Sequence, residues 1–372
     1  MSEKHSIPRS PEPLISVVMP VYNAEAFLDK SLGSVLKSTV TDLEIICIDD
    51  GSDDRSLSML HDYASKDERF RILTQNHLYA GAARNAGILA ARGKYIHFLD
   101  ADDSIVPEAY EKLLAAAEAH QVDVCECLYR NISSQTDEVT SDSGYRPYTA
   151  GDVISLSDGG DNAVSLLRGH VVPWNKLYLR SFLLEQKILY DDLICAEDRS
   201  FYYEVIIKAR RIFRIDDRLM LHRINISTSL DGSDIRLRHF DVEFRSFERI
   251  WDLARDLPDD DKKQILESCI GDSYAYYVRA VGTPYRKNIS QELQAYWKPY
   301  LPMIKENLPR TWWYPLYRVH MIEQRFPLYG RCLLSLAATI ERINHYRKFP
   351  MRHIRGGLRI LLRLLTGSYR PR

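Results

Sequence analysis

Within the first 130 residues, short apolar runs alternate with segments of helical period. This alternation restricts the fold more than any other feature of the chain. "LISVVMP" (14–20), "LEIICIDDGS" (43–52), "FRILTQ" (70–75), "KYIHFLD" (94–100) and "VDVCECL" (122–128) each have the length and apolar content of a buried strand. Between them, "AEAFLDKSLGSVLKST" places Phe27, Leu28, Leu32, Val35 and Leu36 on one helical face. "DDRSLSMLHDYASKD" starts with Asp53 and Asp54 as capping acids. "AGAARNAGILAARG" (80–93) predicts a helix of small residues closed by Gly93, and "PEAYEKLLAAAEAH" a helix with Pro107 in its first turn. Strand and helix repeated at this pace predict an α/β fold on a largely parallel sheet. Ligands of such sheets sit beyond the carboxyl ends of the strands.

The residues at those ends are acids and turn formers. The first run stops at Pro20-Val21-Tyr22-Asn23, the second at Asp49-Asp50-Gly51-Ser52 and the fourth at Asp100-Ala101-Asp102-Asp103. Three carboxylates in four positions repel one another and resist burial. A helix cap near Pro107 explains one of them, Asp103. A divalent cation explains all three, because hard carboxylate oxygens suit magnesium or manganese, which bind through one or two carboxylates together with substrate phosphates. A phosphate-seeking cation points in turn to a nucleotide. Asp50 can accept from a base edge or ribose, or serve only as a turn acid before Gly51. Tyr22 can stack on a base, or be a half-buried turn aromatic.

Other classes fit less well. The segment after the first strand, "PVYNAEAF", has neither G-x-G-x-x-G nor a basic Gly-rich loop, against a dinucleotide oxidoreductase or a nucleotidyltransferase. A phosphoreceiver-like module leaves most of the 372 residues unexplained. A net charge of -1 gives no global attraction to nucleic acid. The six cysteines are scattered, mostly in apolar runs, and the polar start "MSEKHSIPRSPEP" has no apolar signal core. Together these predict reduced thiols in a cytoplasmic protein. Cys125 and Cys127 read as buried thiols on one strand face, with Glu126 opposite.

Taken in order, "ISVVMPVYNAEAFLDKSLGSVLKST", "LEIICIDDGSDD" and "AGAARNAGILAARGKYIHFLDADD" resemble the family-two glycosyltransferases, firmly over residues 14–125 and more loosely to about 230. The resemblance implies a GT-A fold, a Rossmann-like and mostly parallel α/β sheet. It also implies a nucleotide-diphosphate sugar donor, a Mn2+ or Mg2+ ion and inversion at the anomeric carbon, with a glycan or lipid-linked acceptor. Carried across residue by residue, it places Pro20, Val21 and Tyr22 in the nucleotide pocket, Asp50 on the base, and Asp100, Asp102 and Asp103 at the metal, with Asp102 as main ligand. Glu25 follows the Y-N-x-E pattern and helps hold the nucleotide, or is a solvated acid of the first turn. Arg84 stands near the phosphates or the acids, or is a surface helix charge. Asp198, in "AED" (196–198), corresponds to the base, with Asp191 and Asp192 as nearby competitors and a simple helix-start acid as the plainer reading. His222 and Arg223, in "LHRINISTS", correspond to donor-diphosphate contacts, or belong to a strand-end loop. Trp174 and Lys176 fall on the acceptor side by analogy, although a buried Trp is commoner.

The remaining chain is less specific. Residues 1–13 read as a flexible start, 14–230 as the catalytic domain (nucleotide half 14–125, acceptor half 126–230) and 231–350 as a helical region. Residues 130–160 are polar and predict a variable loop or flap. "AEDRSFYYEVIIKARRIFRI" predicts an amphipathic helix followed by a strand. Residues 341–372 hold nine Lys/Arg and one Glu. There, Ile354, Leu358, Leu361, Leu362 and Leu365 share a helical face flanked by Arg355, Arg359 and Arg363, a pattern of peripheral attachment to an anionic membrane through 351–372. The expected protein is a metal-dependent hexosyltransferase of cell-surface polysaccharide synthesis. The alternative is a catalytically inactive glycan- or nucleotide-binding relative.

Overall fold

The computed structural model describes residues 12–142, 151–224, 235–279 and 284–297. In chain order the elements are β1 (Ile15–Val21), α1 (Leu28–Leu36), β2 (Leu43–Asp49), α2 (Ser56–Lys66), β3 (Phe70–Thr74), α3 (Tyr79–Ala90), β4 (Tyr95–Phe98), β5 (Ser104–Ile105) and α4 (Ala109–His120). They continue with β6 (Val124–Ser133), β7 (Val139–Asp142), β8 (Val153–Ile154), α5 (Gly160–Leu167), β9 (Lys176–Leu179), α6 (Arg180–Glu185), α7 (Glu197–Lys208) and β10 (Ile212–Ile224). The last described helices are α8 (Ile235–Arg238), α9 (Asp241–Leu253), α10 (Asp259–Arg279) and α11 (Arg286–Trp297).

One sheet runs in the order β3-β2-β1-β4-β9-β6-β10-β5, with β7 on β6 and β8 on β10. The first four strands are parallel. The expectation of a largely parallel sheet fails beyond them: β9 lies antiparallel between β4 and β6, and only β10 is again parallel, to β6. The inserted strand is four residues, "KLYL", too short for its period to stand out from the flanking apolar helices. Its arrival brings buried Lys176 near Glu126, whose carboxylate accepts from Arg214 Nε at 2.6 Å. Glu126 is thus a buried ion-paired residue of the sheet.

Register aligns the strand ends that bear the acids. Val21 stands opposite Asp49, and Val18 opposite Phe98. Asp50 N–H donates to Val21 O at 2.8 Å and Leu99 N–H to Val18 O at 3.0 Å, so the turns after β1, β2 and β4 leave from one edge.

Alternation along the strands builds two cores. Val17, Met19, Ile45 and Cys47 face the layer containing Leu28, Leu32, Val35 and Leu60, and fully burying each large aliphatic side chain contributes roughly 1.5–3 kcal/mol. On the other face α3 lies so close to β1 that a Cβ at Gly87 would collide with Val18. This is why the helix is made of small residues. Gly93 does not close α3, which ends at Ala90. A Cβ at Gly93 would meet Ser16 N at 2.5 Å, and its own N–H donates to Ser16 Oγ at 2.8 Å, so glycine there permits a close approach to β1. Pro107 likewise precedes α4 instead of entering its first turn.

Two other expectations are corrected. Residues 130–142 belong to an antiparallel hairpin of β6 and β7. Helix α7 is not amphipathic: nine of its 12 residues are buried, so it crosses the interior.

Among the described residues, 12–224 (without 143–150) and 248–261 belong to one compact unit, and 235–247, 262–279 and 284–297 to a second. In the second, Phe244 stacks on Tyr296 at 4.0 Å and Phe247 meets Trp297 at 4.8 Å. The basic segment 351–372 lies outside the described residues. Among the described residues no helix is long and apolar enough to cross a membrane.

Two helical glycines make a matched test of the α3 contact. Gly33 in α1 has open space around its Cβ position, whereas Gly87 has none. Gly33→Ala should leave stability unchanged or raise it by up to about 1 kcal/mol. Gly87→Ala should lower it by about 1–3 kcal/mol. Urea unfolding of both variants checks the sign of each.

Candidate active site

The site grows from the sheet-facing side of α3. Gly81, Arg84, Gly87 and Ile88 fall on that side and are buried. Arg84 is therefore not a surface charge, being 3% exposed. Its Nη2 donates to Asp100 Oδ1 at 2.8 Å, and its Nη1 to Glu197 Oε1 at 3.1 Å and Asp198 Oδ1 at 3.0 Å. Burial alone would lower its pKa. Asp198, Asp100 and Glu197 more than offset that and hold the guanidinium charged.

Neighbouring residues of α3 bring the distant acids to it. Asn85 brackets the peptide of Tyr190, donating to its carbonyl at 2.9 Å and accepting from its N–H at 2.8 Å. A Cβ at Gly81 would stand 3.1 Å from Asp191 O and from Glu197 Cγ, so the chain before α7 presses directly on the helix. The Tyr190 ring stacks on Phe201 at 3.9 Å, and the Arg84 guanidinium lies 5.3 Å from its centroid. Ala196, at φ 63°, turns the chain into α7 in a left-handed conformation that costs a β-carbon-bearing residue about 1 kcal/mol or more. Of the competing acids, Asp191 pairs with Arg249 at 3.0 Å and Asp192 is exposed.

The loop after β4 collects Asp100, Asp102 and Asp103, which offer one oxygen each within 4.8 Å of one another. Asp103 is buried and does not cap α4. His222 Nδ1 lies 3.1 Å from both its oxygens, and Arg223 N–H donates to Oδ1 at 2.8 Å. The His222 ring stacks on buried Trp174 at 4.7 Å. Burial would lower the His222 pKa, but Asp103 raises it to about 9. Arg223 is not turned outward to a phosphate. Its Nε donates to Asp102 O at 3.0 Å, and its Nη1 reaches Ser133 O at 3.3 Å and pairs with Asp137 at the tip of the β6–β7 hairpin. Arg223 therefore braces the acid loop from behind.

Asp102 has no such partner. Among the described residues no side chain donates a hydrogen bond to it. Burial first, then Asp103 and Asp100, push its carboxyl up to about 7. Three hard oxygens, one of them pushed toward its protonated form by burial and by the neighbouring acids, fit a divalent cation.

A second cluster surrounds Asp50, which is 2% exposed. Oδ1 accepts from Gln75 Nε2 at 2.7 Å and Leu78 N–H at 2.8 Å, and Oδ2 from Tyr79 N–H at 2.9 Å with His77 Nδ1 also at 2.9 Å. The carboxylate assigned by sequence to a base thus organises the 75–79 loop and the start of α3. Tyr22 is 45% exposed and stacks on His77 at 4.0 Å, with Pro20 and Val21 beneath in β1. Glu25 accepts from Arg55 N–H at 3.0 Å and Nε at 3.2 Å, tying the turn before α1 to the start of α2. His77 and Tyr79 were missed by sequence reasoning. Neither carries a motif signal, and only the fold sets them against Asp50 and Tyr22.

A mixed α/β sheet in this strand order, with acids gathered at one edge, is a GT-A type of architecture. The model of "Glycosyl transferase family 2" matches residues 16–185. The chain is similar to the uncharacterized glycosyltransferase EpsJ of Bacillus subtilis (strain 168), 32% identical over 217 residues, covering 57% of this chain and 62% of that protein. It is also similar to the poly(ribitol-phosphate) beta-glucosyltransferase of Bacillus spizizenii, 34% identical over 203 residues, covering 53% of this chain and 30% of that one. The chain thus spans less than two thirds of these relatives' lengths. The crystal structure of S. aureus TarS 1-349 in complex with UDP-GlcNAc superposes with a TM-score of 0.65 at 19% identity, over 88% of this chain and 92% of that one, which shows the GT-A fold. The chain belongs to glycosyl transferase family 2.

The charge balance at Asp102 has a testable sign. In protein stripped of divalent cations the carboxyl keeps its proton to about pH 7 when folded, against the ordinary aspartate range, near 3.8, when unfolded. The folded state binds the extra proton between those values, so this group's contribution to stability is present at low pH and lost as pH rises through 7. Asp102→Asn should therefore be more stable than wild type at pH 8 and equal to it near pH 3.5, by urea midpoints in EDTA. A wild type as stable as the variant at pH 8 contradicts this account.

Proposed function

We propose that the protein is an inverting glycosyltransferase. It moves a sugar from a nucleoside diphosphate to a hydroxyl of a glycan or lipid-linked acceptor in cell-surface polysaccharide synthesis, with Asp198 as base. The observation that carries this reading is the Arg84 node, which joins Asp100 of the acid loop to Asp198 of α7. A group suited to the diphosphate side and a group suited to the acceptor side are thereby held around one buried cation.

The chemistry follows from that arrangement. The acceptor oxygen attacks the anomeric carbon, the bond from that carbon to the β-phosphate oxygen breaks, and its electron pair leaves with the diphosphate. The acceptor proton passes to the Asp198 carboxylate, as to the base of an inverting glycoside hydrolase. Arg84 aims Asp198 through its Nη1 hydrogen bond at 3.0 Å. A Mn2+ or Mg2+ ion held by Asp100, Asp102 and Asp103 would supply positive charge to the departing diphosphate. Tyr22, with Pro20 and Val21 behind it and the loop organised by Asp50, lines the nucleotide side. Glu25 and Arg223 support that side from a distance, and His222 supplies charge next to the acids.

The donor class to test first is a UDP-sugar, since the fold neighbour TarS was crystallised with UDP-GlcNAc. The acceptor class is supported by the relative named for poly(ribitol phosphate). The proposal places the protein in the cytoplasm, with the basic segment 351–372 against an anionic leaflet where lipid-linked acceptors are presented.

The test is release of nucleoside diphosphate from UDP-, GDP- and dTDP-sugars with manganese, magnesium or EDTA and a panel of glycan acceptors. Wild type should turn over one donor only with metal present. Asp198→Asn should bind donor normally by calorimetry and lose about 10²–10⁴-fold in turnover. Asp102→Ala should lose both metal-dependent donor binding and turnover. Donor binding without turnover in wild type across the panel would favour an inactive relative.

A further inference from the structure

We infer that Asp137 is a positioning residue of the cation site. From the tip of the β6–β7 hairpin it holds Arg223, and through Arg223 it sets the shape of the acid loop and the affinity of that loop for a divalent cation. This deepens the metal part of the proposed function and rests on it.

The acid loop is pinned at one peptide, the unit between Asp102 and Asp103. Its carbonyl accepts from Arg223 Nε at 3.0 Å, and its N–H donates to Asp100 O at 3.0 Å. The backbone N–H of Arg223 donates to Asp103 Oδ1 at 2.8 Å. The spacing of the three carboxylates therefore follows from where Arg223 stands.

Arg223 in turn needs an anion. Its side chain is 2% exposed, and a guanidinium withdrawn from water is costly unless it is paired. Among the described residues, Asp137 is the one carboxylate that pairs with this guanidinium. Its other neighbours there are neutral: Ser133 O at 3.3 Å, the Asp102 carbonyl, and the Phe27 ring 5.7 Å from Cζ.

The hairpin tip holds Asp137 in place. Its φ of 58° is left-handed, a conformation that aspartate tolerates better than most residues. Its N–H donates to Ser133 O at 3.0 Å, and Ser133 N–H to Glu138 O at 2.9 Å. Ser133 Oγ accepts from the N–H groups of Gln135 and Thr136 at 3.2 and 3.3 Å. The second oxygen of Asp137 accepts from Lys30 Nζ at 2.5 Å, which fastens the tip to α1. One turn further along α1, Ser34 Oγ accepts from Ile105 N–H at 3.1 Å, just past the acids. Helix α1 thus holds both the hairpin tip and the far end of the acid loop. Lys30 and then Arg223 keep the Asp137 carboxyl below the usual carboxylate range. An exposed pair such as Lys30–Asp137 stabilises little by itself. The consequence lies in the buried Arg223 that the same carboxylate meets.

Calorimetry of the full chain would measure Mn2+ binding, alone and with saturating UDP, in wild type, Asp137→Asn and Glu138→Gln. Asparagine suits the left-handed turn and removes the charge. Glu138 is the neighbouring acid of the same hairpin, its side chain accepting from Thr136 Oγ1 at 3.3 Å, and controls for the loss of one charge. Asp137→Asn should bind Mn2+ about ten-fold more weakly, and raising Mn2+ in proportion should restore its turnover. Glu138→Gln should match wild type. Linkage demands the reverse effect in wild type, since a cation favoured by the held hairpin must itself stabilise that hairpin. Bound Mn2+ should therefore slow amide hydrogen exchange at residues 135–137 several-fold. Wild-type Mn2+ affinity in Asp137→Asn would overturn the assignment. So would an equal loss in Glu138→Gln, or exchange at the hairpin tip left unchanged by bound Mn2+. If Asp137→Asn does not fold, the exchange measurement on wild type decides alone. A wild type that binds no Mn2+ even with UDP brings down the metal-site reading itself, and this assignment with it.

Discussion

A buried guanidinium has to be paid for in carboxylates, and the placement of Arg84 decides much of the rest of the site. Removing such a charge from water costs several kcal/mol unless it is paired. Arg84 takes its partners from two distant segments, Asp100 after β4 and Glu197 with Asp198 at the start of α7. This draws α7 into the interior, where most of its surface is covered. It also needs α3 to sit close to β1 and to the Tyr190–Glu197 stretch, which Gly87 and Gly81 permit. The small residues of α3 and the burial of α7 are therefore two consequences of one electrostatic demand.

The acid loop has a second support from the last strand of the sheet. β10 delivers His222 to Asp103 and Arg223 to the backbone of Asp102, and the β6–β7 hairpin holds Arg223 through Asp137. Asp100 is hydrogen-bonded to Arg84 and Asp103 lies against His222, while among the described residues no side chain donates a hydrogen bond to Asp102. Buried acids elsewhere show the contrast: Glu44 accepts from Ser16 at 2.7 Å and Arg92 at 2.9 Å, and Glu126 from Arg214, so both are satisfied within the fold.

Much of the fold was legible. β1 to β4, α1 to α4 and the acid-bearing strand ends follow from local period, and the gathering of those ends follows from parallel strands in register. Arg84 was legible as a candidate through the family resemblance of "AARNAG", yet its partners Glu197 and Asp198 were not, since they lie 113 and 114 residues away in sequence. β9 escaped because four residues carry too little period. Gly93 was misread because a glycine after a helix resembles a cap, and only the closeness of Ser16 shows the steric reason. Asp50 could be placed from sequence at the end of β2, but its contacts with Gln75, Leu78, Tyr79 and His77 are a property of the folded loop.

By itself the sequence determined the periodicities, and with them the strand–helix order, the acids at the carboxyl ends of the strands and the family of the fold. These are local quantities, set by side chains a few residues apart. The tertiary structure decided which acid is paired and which is left bare, that Arg223 faces inward, that α7 is buried on nearly all sides and that His77 stands over Tyr22. Those depend on distances between segments far apart in the chain. Coulomb energy, burial and hydrogen-bond saturation act through such distances, and no window of sequence contains them.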